Sequence, residues 1–221
     1  MSDPGPLPLA AQGRPRASIR VDLRAIADMI EPGTRVLDIG CGDGALLDWL
    51  AHEKGVDARG IEISQQGVNA CVAQGLSVVQ GDADTDLKDY PTGGFDYAIL
   101  SQTLQATWDP KAVLGELVRI ARRAIVSFPN FGVWHVRLRL LTTGRMPVTD
   151  SLSAQWYETP NIHLCTIDDF VGLCGALGVT IESATVLDAA GRPKGLKAPG
   201  RLANLLGEQG QIGRASCRER V

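Results

Sequence analysis

The sequence predicts an α/β fold: a doubly wound, mostly parallel sheet with helices on both faces. Three observations predict it. From Arg35 to Phe128, short apolar runs typical of buried strands alternate with stretches at helical spacing. The switches between them carry glycines, prolines or capping residues. The chain also has the size and composition of one large domain with an ordinary core: 221 residues, 44% hydrophobic and 21% charged.

Residues 1–17 (MSDPGPLPLAAQGRPRA) hold four Pro and two Gly without periodicity, and read as a disordered leader. Apolar residues at 19, 23, 26, 27 and 30 have helical spacing, and Pro32-Gly33 ends that helix. RVLDIG (35–40) reads as a buried strand and GALLDWLAHEK (44–54) as a helix. ARGIEI (58–63) is the second strand, followed by a helix over 64–74 with Ser64 as its N-cap. LSVVQGD (76–82) and FDYAILS (95–101) are the third and fourth strands. Asp109 caps a helix over 109–122 with Pro110 in its first position, and RAIVSF (123–128) is the fifth strand.

After Pro129 the rhythm breaks. Residues 131–145 read as a helix ending at Gly144. Residues 146–165 carry little regular signal, and a segment of that kind inside a compact domain is expected to serve function or to form a lid. Thr166 and Asp169 form a capping-box pair at the head of a helix over 166–177, and 179–187 is a further strand. From 191 the chain drifts without a clear element. Residues 212–221 (IGRASCRERV) match the translation of a sequencing adapter and are set apart as an artefact. The expected organisation is a leader over 1–17, one domain over 18–211, and the adapter tail.

The formal charge of −3 lacks the basic excess of a nucleic-acid binder. No run of 18 apolar residues offers a membrane span. The polar, Pro-rich N-terminus has no signal-peptide core, so the expected location is cytoplasmic. None of the five cysteines forms a CxxC pair, so no metal site is expected and reduced thiols are the default.

The sharpest motif is Val36-Leu37-Asp38-Ile39-Gly40-Cys41-Gly42-Asp43-Gly44, a strand, a glycine turn and a helix start in order. Its spacing alone is ambiguous. Gly40-x-Gly42-x-x-Ala45, with Glu62 twenty residues past Gly42, also satisfies a dinucleotide fingerprint. Charge separates the readings. Asp38 and Asp43 would repel a pyrophosphate, whereas a carboxylate accepts the ammonium of an amino-acid head. That head belongs to S-adenosylmethionine. Glu62, ending strand two, is placed for the ribose hydroxyls. Asp82 and Ala83, after strand three, stand where an adenine amino group is read. Three strand ends, each with an acid, meet at one edge of the sheet, where open α/β folds bind ligands.

Over residues 34–130 these motifs resemble the class I S-adenosylmethionine-dependent methyltransferase fold, a Rossmann-like architecture. The resemblance implies that Asp38, Gly40, Gly42, Glu62, Asp82 and Ala83 contact the cofactor S-adenosyl-L-methionine. Many small-molecule members carry Leu-Glu-His after strand four; here it is Leu104-Gln105-Ala106, without that base. The Asn/Asp-Pro-Pro-aromatic turn of adenine-amine methylases is replaced by Ser101-Gln102-Thr103-Leu104. Tyr157 and His163, in the segment 156–166, are the remaining acid/base candidates, weighed against plain packing. His52 and His135 read as surface residues.

VLDIGCGDG, ILSQTLQ, AIVSFPNFGVW, GRMPVT and WYETPNIHLCT together resemble the methionine-biosynthesis protein W (MetW) family, over about residues 19–210. The resemblance implies a role beside homoserine O-acyltransferase as its partner. The reading is a methyltransferase-fold protein of methionine biosynthesis that binds S-adenosylmethionine and supports or regulates that acyltransferase. An active methyltransferase on a small molecule is the alternative, and a dinucleotide oxidoreductase the third. Phe131, Trp134, Trp156 and Tyr157 are the candidate partner surface, or else core. Family members continue past a segment like Asn204-Leu205-Leu206-Gly207-Glu208 into a last antiparallel strand beside strand five. Here the adapter replaces that strand, so it is expected to be lost and the chain to be less stable for it.

Overall fold

A computed structural model describes residues 19–149, 152, 154–196 and 198–217, with side chains to 213. The expected leader over 1–17 lies outside the described residues. The elements in chain order are α1 (Val21–Asp28), β1 (Arg35–Ile39), α2 (Ala45–Lys54), β2 (Asp57–Glu62), α3 (Gln65–Ala73), β3 (Ser77–Gln80), β4 (Phe95–Ser101), α4 (Pro110–Ile120), β5 (Ala121–Pro129), α5 (Trp134–Thr143), α6 (Ile167–Ala176), β6 (Val179–Leu187), α7 (Arg201–Leu206) and β7 (Gln209–Cys217). Short 3₁₀ turns occupy Leu87–Asp89 and Leu104–Ala106.

One seven-stranded sheet runs in the order β3-β2-β1-β4-β5-β7-β6. The first five strands pair in parallel, and β7 pairs antiparallel with β5 and β6. Strand parity divides the core between two faces. Leu37, Ile39, Leu100, Val126 and Phe128 belong to the cluster that includes α4 and α6 residues. Val36, Ile99 and Ile125 belong with Ile26 and Ile30, at the end of α1. The chain expected to be doubly wound is so.

The caps read from sequence form. Ser64 Oγ accepts from Gly67 N, Asp109 Oδ1 accepts from Ala112 N, and Thr166 and Asp169 complete a capping box. Such caps stabilise a helix end by about 1 kcal/mol each. Gly144 closes α5 at φ 63°, in the left-handed region that glycine enters without strain.

The expected loss of the last strand is corrected. Residues 209–217 form β7, seated between β5 and β6, with a register shift opposite Ala124–Val126. The physical reason is backbone pairing. The gap between β5 and β6 presents ladder groups on both sides, and an extended segment without proline satisfies them largely regardless of side chains. Ile212 is fully buried in the core. Gln211 is fully buried as well, yet neither its Nε2 nor its Oε1 has a partner. Backbone complementarity therefore places the strand, and the side chain at 211 does not match its surroundings.

Between β3 and β4 there is no α-helix. The face of β1–β3 at the strands' N-terminal ends is left as a groove of about 560 Å³ lined by Arg35, Arg59, Tyr90 and Phe95. Both arginines lie within ion-pair reach of Asp57. Among the described residues no helix is long and apolar enough to cross a membrane.

Candidate functional site

The opposite, C-terminal ends of β1, β2 and β3 gather the residues singled out by sequence. Asp38 pairs in register with Gly60 and Ile99, near the end of β1, and is buried. Glu62 closes β2 and is buried. Its Oε2 accepts from Gly42 N at 2.8 Å and its Oε1 from Ser64 N at 2.9 Å. Two backbone N–H groups thus fix the carboxylate against the glycine turn and leave further lone pairs for a ligand. Asp82 opens the turn after β3, with Oδ1 accepting from Asp84 N at 2.9 Å. Ala83 packs against the core.

Gly40, Gly42 and Gly44 all have positive φ, at 73°, 58° and 80°. At Gly40 a Cβ would come within 2.5 Å of Thr103 Oγ1, so no other residue fits there without displacing the loop after β4. Asp43 Oδ1 accepts from Ala45 N at 3.2 Å. The start of α2, which would bind a pyrophosphate in a dinucleotide site, already faces a carboxylate of the chain itself.

Asp38 carries the electrostatic signature. Its Oδ1 has no hydrogen-bond partner. Burial, and then the charge of Glu62, push its carboxyl up to about 7. A cationic group is what this pair of acids lacks. Cys41, within the turn, is held as an inert thiol, its pKa raised mainly by burial.

Several residues of this edge were not legible from spacing. Ile63 follows Glu62 and is 64% exposed, an apolar side chain left facing outward beside the acid. Gly67 lets α3 approach: a Cβ there would come within 2.7 Å of Glu62 Cγ and 2.8 Å of Gly42 O. Gln102 adopts φ 54° just after β4, and such backbone strain clusters at functional sites. Asp84 accepts from both Trp108 N and Asp109 N, tying the loop after β3 to the loop after β4.

The two acid/base candidates are not drawn into this edge. Tyr157 is 66% exposed and stacks edge-on against Trp156. His163 is exposed, with Nε2 3.2 Å from the Trp108 carbonyl oxygen. Its segment is pinned instead by backbone: Ile162 N and His163 N both donate to the Gln105 carbonyl, each at 2.9 Å. His52 and His135 stand at the surface or half-buried, with His135 3.4 Å from Glu208.

Comparisons with known proteins bear on the fold and on the family. The S-adenosylmethionine-dependent methyltransferase of Mesorhizobium loti superposes with a TM-score of 0.63 at 16% identity, covering 88% of this chain and 97% of that one. The [4+2]-cyclase SpnF superposes with a TM-score of 0.62 at 19% identity, covering 89% and 81%. One architecture therefore accompanies different activities, and these likenesses speak for the fold alone. The bifunctional methionine biosynthesis protein MetXA/MetW of Rhodopirellula baltica is 33% identical over 180 residues, 77% of this chain. The chain spans only 29% of that protein's length. Residues 20–212 match the profile of the family described as methionine biosynthesis protein MetW. The chain has the class I methyltransferase fold and belongs to the methionine biosynthesis protein MetW family.

Proposed function

We propose that this protein binds S-adenosylmethionine across the C-terminal ends of β1, β2 and β3 and, through that, supports or regulates homoserine O-acyltransferase. The observation that carries the ligand is Asp38, a buried carboxylate with an unpartnered oxygen beside a glycine turn. An ammonium group would satisfy that oxygen and offset the repulsion from Glu62. In this reading Gly40 and Gly42 admit the ligand against backbone, and Glu62 holds the ribose hydroxyls. Ile63 covers one face of the adenine, while Asp82 and Ala83 read its edge. Bound S-adenosylmethionine would supply a sulfonium methyl electrophile.

The weight falls on binding rather than turnover. Tyr157 faces solvent, His163 faces a backbone carbonyl, and Leu104-Gln105-Ala106 offers no base. The fused relative supports the partner half, since its name joins a MetXA part to a MetW part in one chain. A ligand that favours one conformation biases the partner only through its differential affinity for the two states.

Calorimetric titration of S-adenosylmethionine into the intact chain tests the site. Binding is expected, and Asp38→Ala and Glu62→Ala should each abolish it. No heat at millimolar ligand would overturn the ligand half. Formation of S-adenosylhomocysteine with a supplied small-molecule acceptor would move the reading to an active methyltransferase.

A further inference from the structure

The antiparallel wing of the sheet carries a second cluster of charged side chains, apart from Asp38 and Glu62. Glu208 stands just before β7, whose first residue, Gln209, pairs with Pro129 and Leu187, the last residues of β5 and β6. Both backbone groups of Glu208 are bonded. Its N–H donates to Leu187 O at 3.0 Å, and its carbonyl accepts from Asn130 N at 2.8 Å. The residue is thus fixed at the C-terminal ends of β5 and β6, the edge at which open α/β sheets receive ligands. His135, in the first turn of α5, puts Nε2 3.4 Å from Glu208 Oε2, and that nitrogen is buried without a hydrogen-bond partner. Arg139 follows one turn later on the same face of α5. Its guanidinium has no hydrogen bond or ion pair among the described residues. With Thr149 and Ala189, these three side chains line a cavity of about 320 Å³.

The lining selects the occupant. A plain anion would meet Arg139 and also the Glu208 carboxylate. A plain amine would meet Glu208 and also the Arg139 guanidinium. A ligand that carries both charges answers both. Nearby charges are spent elsewhere: Asp188 accepts from Ala190 N and Arg192 N, and Arg137 donates to the Gly132 carbonyl. Asp150, which follows Thr149, lies outside the described residues. A primary ammonium has three donors, and Glu208 Oε2 and His135 Nε2 offer it two acceptors 3.4 Å apart. Glu208 keeps its other contacts, because a carboxylate has about four acceptor sites. A ligand carboxylate matches the guanidinium fork. In an α-amino acid both charged groups hang on one carbon, with the nitrogen and the carboxyl carbon about 2.5 Å apart. With one hydrogen bond at each end, such a molecule joins partners up to about 8 Å apart. Residues one helical turn apart, with Cβ atoms about 6 Å apart, present partners within that span. The volume equals that of about ten waters, which limits the ligand to a small side chain.

We infer that the cavity between α5 and the head of β7 binds a small α-amino acid as its zwitterion, the ammonium on Glu208 and His135 and the carboxylate on Arg139. The site shares no residue with the β1–β3 edge, so it stands or falls apart from the S-adenosylmethionine reading given under Proposed function.

Saturation-transfer NMR on the intact chain tests it, with L-2-aminobutyrate as the probe. The probe should show saturable binding. Butyrate and propylamine, which each carry one of its two charges, should bind at least about tenfold more weakly. Arg139→Gln and Glu208→Gln should each weaken the probe at least about tenfold, and Arg139→Lys should weaken it less than Arg139→Gln. Arg139 is exposed, so Arg139→Gln should melt with the unaltered chain and its loss of binding will not be a loss of fold. S-adenosylmethionine affinity should be the same in all these proteins. No saturable binding by the unaltered chain overturns the inference. Butyrate binding as tightly as the probe overturns it in favour of an anion site, and propylamine doing so overturns it in favour of a cation site. Probe binding that persists in both Arg139→Gln and Glu208→Gln overturns the location. If that binding is then lost in Asp38→Ala, the amino acid sits at the end of β1 instead.

Discussion

The C-terminal edge of β1–β3 and the inserted strand β7 each hold a buried side chain with an unpartnered polar atom, and the two differ in what surrounds it. Asp38 lies beside a turn of positive-φ glycines, with the carboxylate of Glu62 oriented by two backbone N–H groups. Gln211 lies within the sheet, in register with Ser127 on one side and Thr185 on the other. At the first place the missing partner has a defined charge, set by two neighbouring acids. At the second, nothing around the amide is arranged to answer it. A strand can be placed by its backbone alone, whereas a binding edge needs side chains and turns that agree with one another.

The largest expected effect tests the Asp38 side of that contrast. The folded state holds this carboxyl up near 7, against 3.8 for the ordinary side chain. A raised carboxyl binds its proton more tightly in the folded state. Its contribution is therefore fully present below about pH 4 and lost as pH rises through about 7. Relative to Asp38→Asn, the unaltered chain should lose roughly 3 to 4 kcal/mol of stability over that range in urea denaturation. Parallel profiles for the two proteins would mean the carboxylate has a partner.

The second effect tests β7. Gln211→Met keeps the side-chain length and removes two unsatisfied groups, so it should stabilise the fold by about 2 kcal/mol. Tm should rise by about 6 °C for a chain of this size. An unchanged or lower Tm would erase the difference drawn between the two regions. The smallest effect separates ligand from fold. Ile63→Ser alters an exposed side chain, so stability should change by less than about 0.5 kcal/mol. S-adenosylmethionine affinity should fall about tenfold by calorimetry, the loss of one buried aliphatic contact. A large stability loss with unchanged affinity would make Ile63 structural.

Most of the sheet was legible because its signals are local. Ser64, Asp109-Pro110 and Thr166 with Asp169 announce helix starts within four residues of themselves, and Gly144 announces a stop. The acids Asp38, Glu62 and Asp82 were legible because each ends or follows a strand, and parallel strands bring such ends to one edge. Ile63, Gly67 and Thr103 were not. Gly67 and Thr103 matter through close approach across elements, since a Cβ at Gly67 would meet Glu62 and one at Gly40 would meet Thr103, and Ile63 through its exposure beside Glu62. Helix α7 has no legible pattern because its six residues, among glycines and a proline, span fewer than two turns. The strand β7 is discounted in the sequence because 212–221 match an adapter, while the fold fills that position through its backbone ladder.

The Gln105 carbonyl accepts two N–H groups from Ile162 and His163 at once. A single peptide group thus carries the backbone tie between the short turn after β4 and the segment leading into α6. The His163 ring adds to it, with Nε2 3.2 Å from the Trp108 carbonyl oxygen. The turn that stands where other sequences place a base is therefore spent on holding the chain that follows, and its backbone acceptor is occupied twice over.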